Sequence, residues 1–334
     1  MKLIRSITVV LLASVLLSTQ LLPVIAAAAT AQSNKGSGEA LEIAPPLLNL
    51  SGNPGETITA KIYIRDISKS PLIVNGTAND FIAKGDSGTP AIVLGNDPSN
   101  PYSLKSFIGY VPNLLLQPQQ MKILNIPINI PKDANPGGHY GVIRFTATPP
   151  PNSGGNHVAL SASLGALILL TVSGKLIENL SLSQFNVSQN KHTSSFFQSD
   201  PLTFNELLKN NGNVHVIPTG TLTVTDMFNK KLYVTNINRP QGNILPSSQR
   251  LYSENLQPVN INNRIMFGRY TASMSLSYGN GNKPIVATVV FWVIPVKLIG
   301  IWIIVLIGGV FLLRYGIRRY NRYILSKAQK SRSK

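Results

Sequence analysis

The 334-residue chain contains no cysteine, which excludes disulfide staples and thiolate metal sites. Acids are scarce as well, with 13 Asp and Glu against 30 Lys and Arg. That leaves little material for the clustered carboxylates that hydrolases use as acids, bases and metal ligands. No GxSxG elbow, HExxH pair or glycine-rich phosphate loop is present. The four histidines stand apart at 139, 157, 192 and 215, without the HxH or HxxxH spacing of a metal site. The SxxK tetrad at 331–334 lies in a charged terminus with nothing catalytic around it. Together these absences predict a non-enzymatic protein with no metal and no cofactor. No LPxTG wall-sorting motif precedes the C-terminus, since LPSS at 245–248 differs in both pattern and place.

What is there begins at the two ends. Residues 1–31 have a basic start (Lys2, Arg5), an apolar stretch from Ile7 to Ile25 and the small residues AAAATA, the pattern of a signal peptide. Near the other end LIGIWIIVLIGGVFLL (298–313) has no charge and lies between Lys297 and Arg314. It predicts a transmembrane helix over 298–317, and the basic tail 318–334 predicts a cytoplasmic C-terminus, with everything between outside the cell. The net charge of +17 owes eight residues to positions 314–334, so it argues for anionic headgroups and against nucleic acid. A cysteine-free exported chain also suggests a bacterial surface protein.

Between the ends, strand signals dominate. TITAKIYIRD (57–66), LNIPINI (124–130) and RYTASMSLSY (269–278) alternate apolar and polar residues with period two, while no segment of 12 residues or more shows a helical period. The pattern predicts strands near 41–50, 57–66, 71–81, 120–130, 139–147 and 157–172, then near 176–188, 200–209, 219–226, 231–238, 248–256, 267–278 and 285–295. The fold class is therefore all-β: two tandem Ig-like β-sandwich domains, 40–173 and 174–295, plus one C-terminal transmembrane helix. ALILLTV (166–172) is too short to span a membrane and predicts a strand buried on both faces. TPPPNSGGNH (148–157) predicts a hairpin tip.

Two features bear on function. The stretch 82–120 is far longer than an ordinary strand connection and sets Tyr102, Phe107 and Tyr110 among Gly, Pro and Ser. These rings, with Tyr140, are the candidate ligand-binding residues, since aromatics stack on sugars and peptides. The competing reading makes Phe107 and its neighbours a cap on the core. In NGNVHVIPTG (211–220), His215 reads as a structural histidine packed beside Val214 and Val216 and bonded to a loop carbonyl.

LEIAPPLLNLSGNPGETITAKIYIRDIS (41–68) and LLLQPQQMKILNIPINIPKDANPGGHYGVIRF (114–145) resemble the first extracellular domain of the WxL-interacting proteins of Gram-positive bacteria. The second half, with LTFNELLKNNGNVHVIPTGTLTVTD (202–226) and GRYTASMSLSYG (268–279), has matching features. The resemblance implies a single-pass cell-membrane protein whose first domain binds peptidoglycan or another wall polymer and whose second meets host or matrix ligands, beside WxL-type or other surface proteins. It implies no catalytic residue. The leading expectation is thus a membrane-anchored surface scaffold or adhesin. The alternative is an assembly chaperone that pairs a strand with exported subunits, marked by an open edge strand near a basic pair such as Lys230 and Lys231.

Overall fold

The computed structural model describes residues 41–95, 100–148, 150, 162–199, 201–257, 261 and 265–332. The segment read as a signal peptide and most of the 148–157 tip lie outside these residues. The fold is all-β, two Ig-like sandwiches in tandem followed by one apolar helix.

The first sandwich is built from β1 (Leu41–Ala44), β2 (Leu47–Gly52), β3 (Thr57–Asp66), β4 (Leu72–Lys84), β5 (Thr89–Val93), β6 (Leu114–Leu116), β7 (Met121–Asn129), β8 (Gly137–Thr148) and β9 (Ala162–Val172). One sheet runs β1-β3-β7 and the other β2-β9-β8-β4-β5, with β6 on β4. The stretch read as one strand over 41–50 is two. Pro45 and Pro46 have no N–H to continue the ladder with β3, and the chain crosses to the other sheet, where β2 lies parallel to β9. Period-two alternation sets Ala60, Ile62 and Ile64 of β3 opposite Ile126, Leu124 and Lys122 of β7, and the apolar members of both strands fill the space between the sheets.

The second sandwich contains β10 (Leu180–Gln189), β11 (His192–Thr193), β12 (Phe196–Phe197), β13 (Leu202–Asn210), β14 (Thr219–Asp226), β15 (Lys231–Ile237), β16 (Gln249–Leu256), β17 (Gly268–Tyr278) and β18 (Lys283–Val293). Its sheets run β11-β10-β13-β16 and β12-β18-β17-β14-β15. Phe204, Tyr270 and Phe197 surround Phe291, with ring centroids 5.7, 5.7 and 6.1 Å away, so each sheet sends large rings into one core. The helix α1 (Val296–Arg332) follows, and its stretch Val296–Arg322 is long and apolar enough to cross a membrane.

β9 is buried on both faces for different reasons. Ala166, Ile168, Leu170 and Val172 point into the first core. Leu169, on the other face, joins Phe81, Tyr140, Val142 and Leu245 in a small cluster where the two sandwiches meet.

Candidate functional site

The long stretch 82–120 is not a free loop. Its first part completes β4 and β5, and its centre is fastened by Asp80, a buried carboxylate on β4. One Asp80 oxygen accepts the N–H groups of Leu104 and Lys105 at 2.9 and 2.8 Å, and the other accepts the Ser103 hydroxyl at 2.7 Å. Leu104 is thereby driven into the core. Next to this turn His139 is held with Nδ1 3.0 Å from Ser103 O and Nε2 3.0 Å from Asn135 O, its ring centroid 4.9 Å from that of Phe107. Between the turn and the segment 131–135 lies a cleft of about 670 Å³ with Asn100, Lys105, Asp133 and Asn135 on its walls and Phe107 and His139 at its base. Such a mixed lining suits a hydrogen-bonding ligand of modest size. Among the described residues no group of three or more His, Asp and Glu is placed to hold a metal.

The four aromatic residues singled out in the sequence do not share a surface. Tyr110 is 79% exposed. Tyr102 is half-buried, its hydroxyl 3.5 Å from Ser247 Oγ of the second sandwich. Phe107 belongs to the first core, as the capping reading had it. Tyr140 is 2% exposed and presents no face to a ligand, because the second sandwich covers it.

What Tyr140 helps to build is the junction. Asn213 is its hub. The Asn213 carbonyl accepts the Gly138 N–H at 2.8 Å, and its own N–H donates to Ile177 O at 3.0 Å. Its side-chain oxygen accepts the Ile177 N–H at 2.7 Å, while Nδ2 donates to Pro136 O at 3.1 Å and to Lys175 O at 3.0 Å. Gly137 is required here. Its φ is +127°, and a Cβ would run into the Asn213 carbonyl. At the far side Asp86, in the β4–β5 turn, accepts the Leu251 N–H at 2.7 Å and the Gln249 side-chain amide at 2.6 Å, which closes the edge of β16. Among the described residues His215 bonds no loop carbonyl; its Nδ1 lies 3.3 Å from the Tyr140 hydroxyl. Sequence reading missed Asn213 and Asp86, since residues typical of turns carry no mark of what they hold.

The remaining open chemistry is main chain. β2 pairs with β9 only from Leu167 onward, and on that edge Leu167 donates its N–H to Pro46 O at 2.9 Å. By the two-residue period, the N–H and C=O groups of Ser163 and Gly165 point the same way, and nothing among the described residues pairs with them. Several other edges carry guards: Pro90 on β5, Lys122 and Pro127 on β7, Lys231 on β15, Lys283 and Pro284 on β18; β2, the terminal strand of this sheet, has none in LLNLSG. The span Ala162–Ala166 has neither charge nor proline.

No family model matches the chain, and no curated protein matches it. Solved structures do. The chaperone–tip adhesin complex of CFA/I fimbriae matches at 16% identity over 75% of this chain and 98% of the other, with a TM-score of 0.40. The YadV chaperone matches at 10% identity over 76% and 100%, with a TM-score of 0.36. The Salmonella enterica SafA pilin in complex with the SafB chaperone matches at 12% over 75% and 96%, with a TM-score of 0.35. These values lie below those at which a shared role follows.

Proposed function

We propose that the protein is a non-enzymatic, membrane-tethered surface scaffold that captures an extended segment of an exported or surface protein by strand addition at the open edge of β9. α1 crosses the membrane, Arg314, Arg318, Arg319 and Arg322 remain on the cytoplasmic side, and both sandwiches stand outside. The observation that carries the reading is the half-edge at Ala162–Ala166, left without charge or proline, whose outward main-chain groups have no partner among the described residues. Strand addition draws affinity from those groups and selectivity from the side chains that flank them. An assembly chaperone would use the edge transiently, and a scaffold would hold it occupied.

The test is photo-crosslinking in intact cells with the full chain. A crosslinking residue at position 163 is expected to yield protein adducts that a control at exposed Lys61 does not. Gly165→Pro, which deletes one outward N–H, should remove them at unchanged membrane abundance. Adducts that survive Gly165→Pro at full yield would sink the reading.

The cleft in the first sandwich favours a second reading, in which a wall polymer such as peptidoglycan is bound by Lys105, Asp133 and Asn135, and a WxL-type protein is the neighbouring partner. Sedimentation of the full chain with purified peptidoglycan checks it. Asp133→Ala with Asn135→Ala is expected to lower the bound fraction, and an unchanged fraction would leave the strand edge as the reading that stands.

A further inference from the structure

All the exposed aromatic rings of the second sandwich, among the described residues, are gathered at one end of it. They are Phe196, Phe228, Phe267 and Trp292, with exposures of 64, 82, 62 and 39%. Ile265, 71% exposed, and Met227 complete the group. The register places them together. Trp292 pairs with Phe196 on one side and Arg269 on the other, and Val293 pairs with Gly268, which directly follows Phe267. The β14–β15 turn lies against the same point, because a Cβ on Gly268 would collide with Met227 Cε. The opposite end of the sandwich, around Asn213 and Leu245, is the one that meets the first sandwich.

These rings are held out by ordered backbone. One Asp226 oxygen accepts the N–H groups of Phe228 and Lys230, both at 2.9 Å, which fixes the turn with Phe228 outward. Phe267 donates its N–H to the Tyr270 hydroxyl at 3.1 Å. Apolar groups fixed in water without a core to enter mark a surface that is covered in use.

The chain itself limits what the cover is. Only Ile294 and Pro295 separate β18 from α1, and both are tied down: Val296 N–H donates to Ile294 O at 2.8 Å and Ile299 N–H to Pro295 O at 3.1 Å. Two residues reach about 7 Å at full extension. The headgroup layer on one side of a bilayer is about as thick. No residue of the stretch of α1 that would span is buried, so it leaves the domain without folding back on it. Exposed cations stand among the rings, at Lys230, Lys231, Arg269 and Lys297.

We infer that this end of the second sandwich is a membrane-docking face for the bilayer that α1 enters, with Phe196, Phe228, Ile265, Phe267 and Trp292 in the headgroup layer and the four cations against anionic lipid. The inference rests on α1 being the membrane span proposed above. Tyr and Trp at such interfaces, with Lys and Arg beside them, fix the orientation of what they anchor. The sandwich pair is thereby set at one attitude to the membrane, which fixes where the β9 edge is presented.

The two tryptophans of the chain supply the test. The full-length protein is reconstituted in vesicles of phosphatidylcholine and phosphatidylglycerol that carry bromine either near the glycerol or near the acyl terminus. Trp302→Phe leaves Trp292 as the only tryptophan, and Trp292→Phe leaves Trp302 to report on the helix. Trp292 emission should be quenched by shallow bromine. The quenching should weaken when phosphatidylglycerol is omitted and fall away in the Phe228→Ser/Phe267→Ser double variant, while Trp302 remains quenched throughout. Trp302 quenched with Trp292 untouched would overturn the docking face and spare the span. Trp302 unquenched at either depth would overturn the span and the docking face together. Protection of Trp292 that follows protein concentration instead of lipid would assign the face to a second copy and overturn the inference.

Discussion

The Tyr140 hydroxyl lies 3.3 Å from His215 Nδ1 across the boundary between the two sandwiches, the rings edge-on with centroids 5.8 Å apart. With Nδ1 unprotonated the tyrosine donates and the imidazole accepts. Burial favours the neutral forms of both, raising the tyrosine pKa and lowering that of His215 to about 4.

The junction should therefore weaken in acid. An unfolded histidine takes a proton near pH 6.5, whereas His215 in place resists until about pH 4, so the unfolded state binds the extra proton in between. Stability is complete above pH 6.5 and falls as the pH drops toward 4, by at most about 1.4 kcal/mol per unit. Thermal unfolding of the full chain in detergent across this window should give that slope, and His215→Gln should flatten it. An unaltered slope in the variant would place the acid sensitivity elsewhere.

Glu206 predicts the opposite dependence. Its carboxyl is fully buried on β13, and neither oxygen has a hydrogen-bond partner among the described residues. Burial, with the nearby Glu254 charge adding to it, pushes its pKa up to about 8. The folded chain keeps a proton that the unfolded chain gives up near pH 4.5, so stability is complete below 4.5 and declines as pH rises through about 8. Glu206→Gln should remove that decline and be the more stable protein at pH 9. A Gln variant that loses stability with rising pH as steeply as the parent would show that Glu206 ionises freely.

The strands of both cores were legible because each must bury every second side chain, and Ile62, Ile126 and Met274 reveal that in sequence. The short strands β5, β6, β11 and β12 were not, since they sit at edges and owe their pairing to long strands nearby. The site was less legible still. Tyr140 looked like an exposed ring because its cover, Leu245 and His215, comes from more than 70 residues later in the chain. The open edge of β9 was hidden for a related reason. Only the register of β2, set by where Pro45 and Pro46 break the first ladder, decides that pairing begins at Leu167.

Asn213→Ala should uncouple the two sandwiches. The variant loses three side-chain hydrogen bonds to Pro136, Lys175 and Ile177, each contributing on the order of 1 kcal/mol. Gly137→Ala should act more strongly, since it adds an unfavourable φ to a clash with the Asn213 carbonyl. In calorimetry the parent is expected to unfold in one transition and each variant in two. A single transition at the parent's temperature in Gly137→Ala would mean that the junction is not held at this point.

Asp80→Ala should release the turn that forms one wall of the cleft while leaving the rest of the chain folded. The substitution leaves the Leu104 and Lys105 N–H groups without their buried acceptor, a cost of about 2 to 4 kcal/mol because the bonds are charge-assisted. Most of that cost falls on Asn100–Phe107, whose other ties include the Tyr140 N–H to Tyr102 O at 2.8 Å, the Asn129 N–H to Phe107 O at 2.7 Å and His139 Nδ1 3.0 Å from Ser103 O. Chymotrypsin should then cut at Tyr102 or Phe107 at least tenfold faster than in the parent, and Asp80→Asn, which keeps one acceptor oxygen, should fall between them. Equal cleavage in all three proteins would mean that Leu104 in the core, and not the carboxylate, holds the turn.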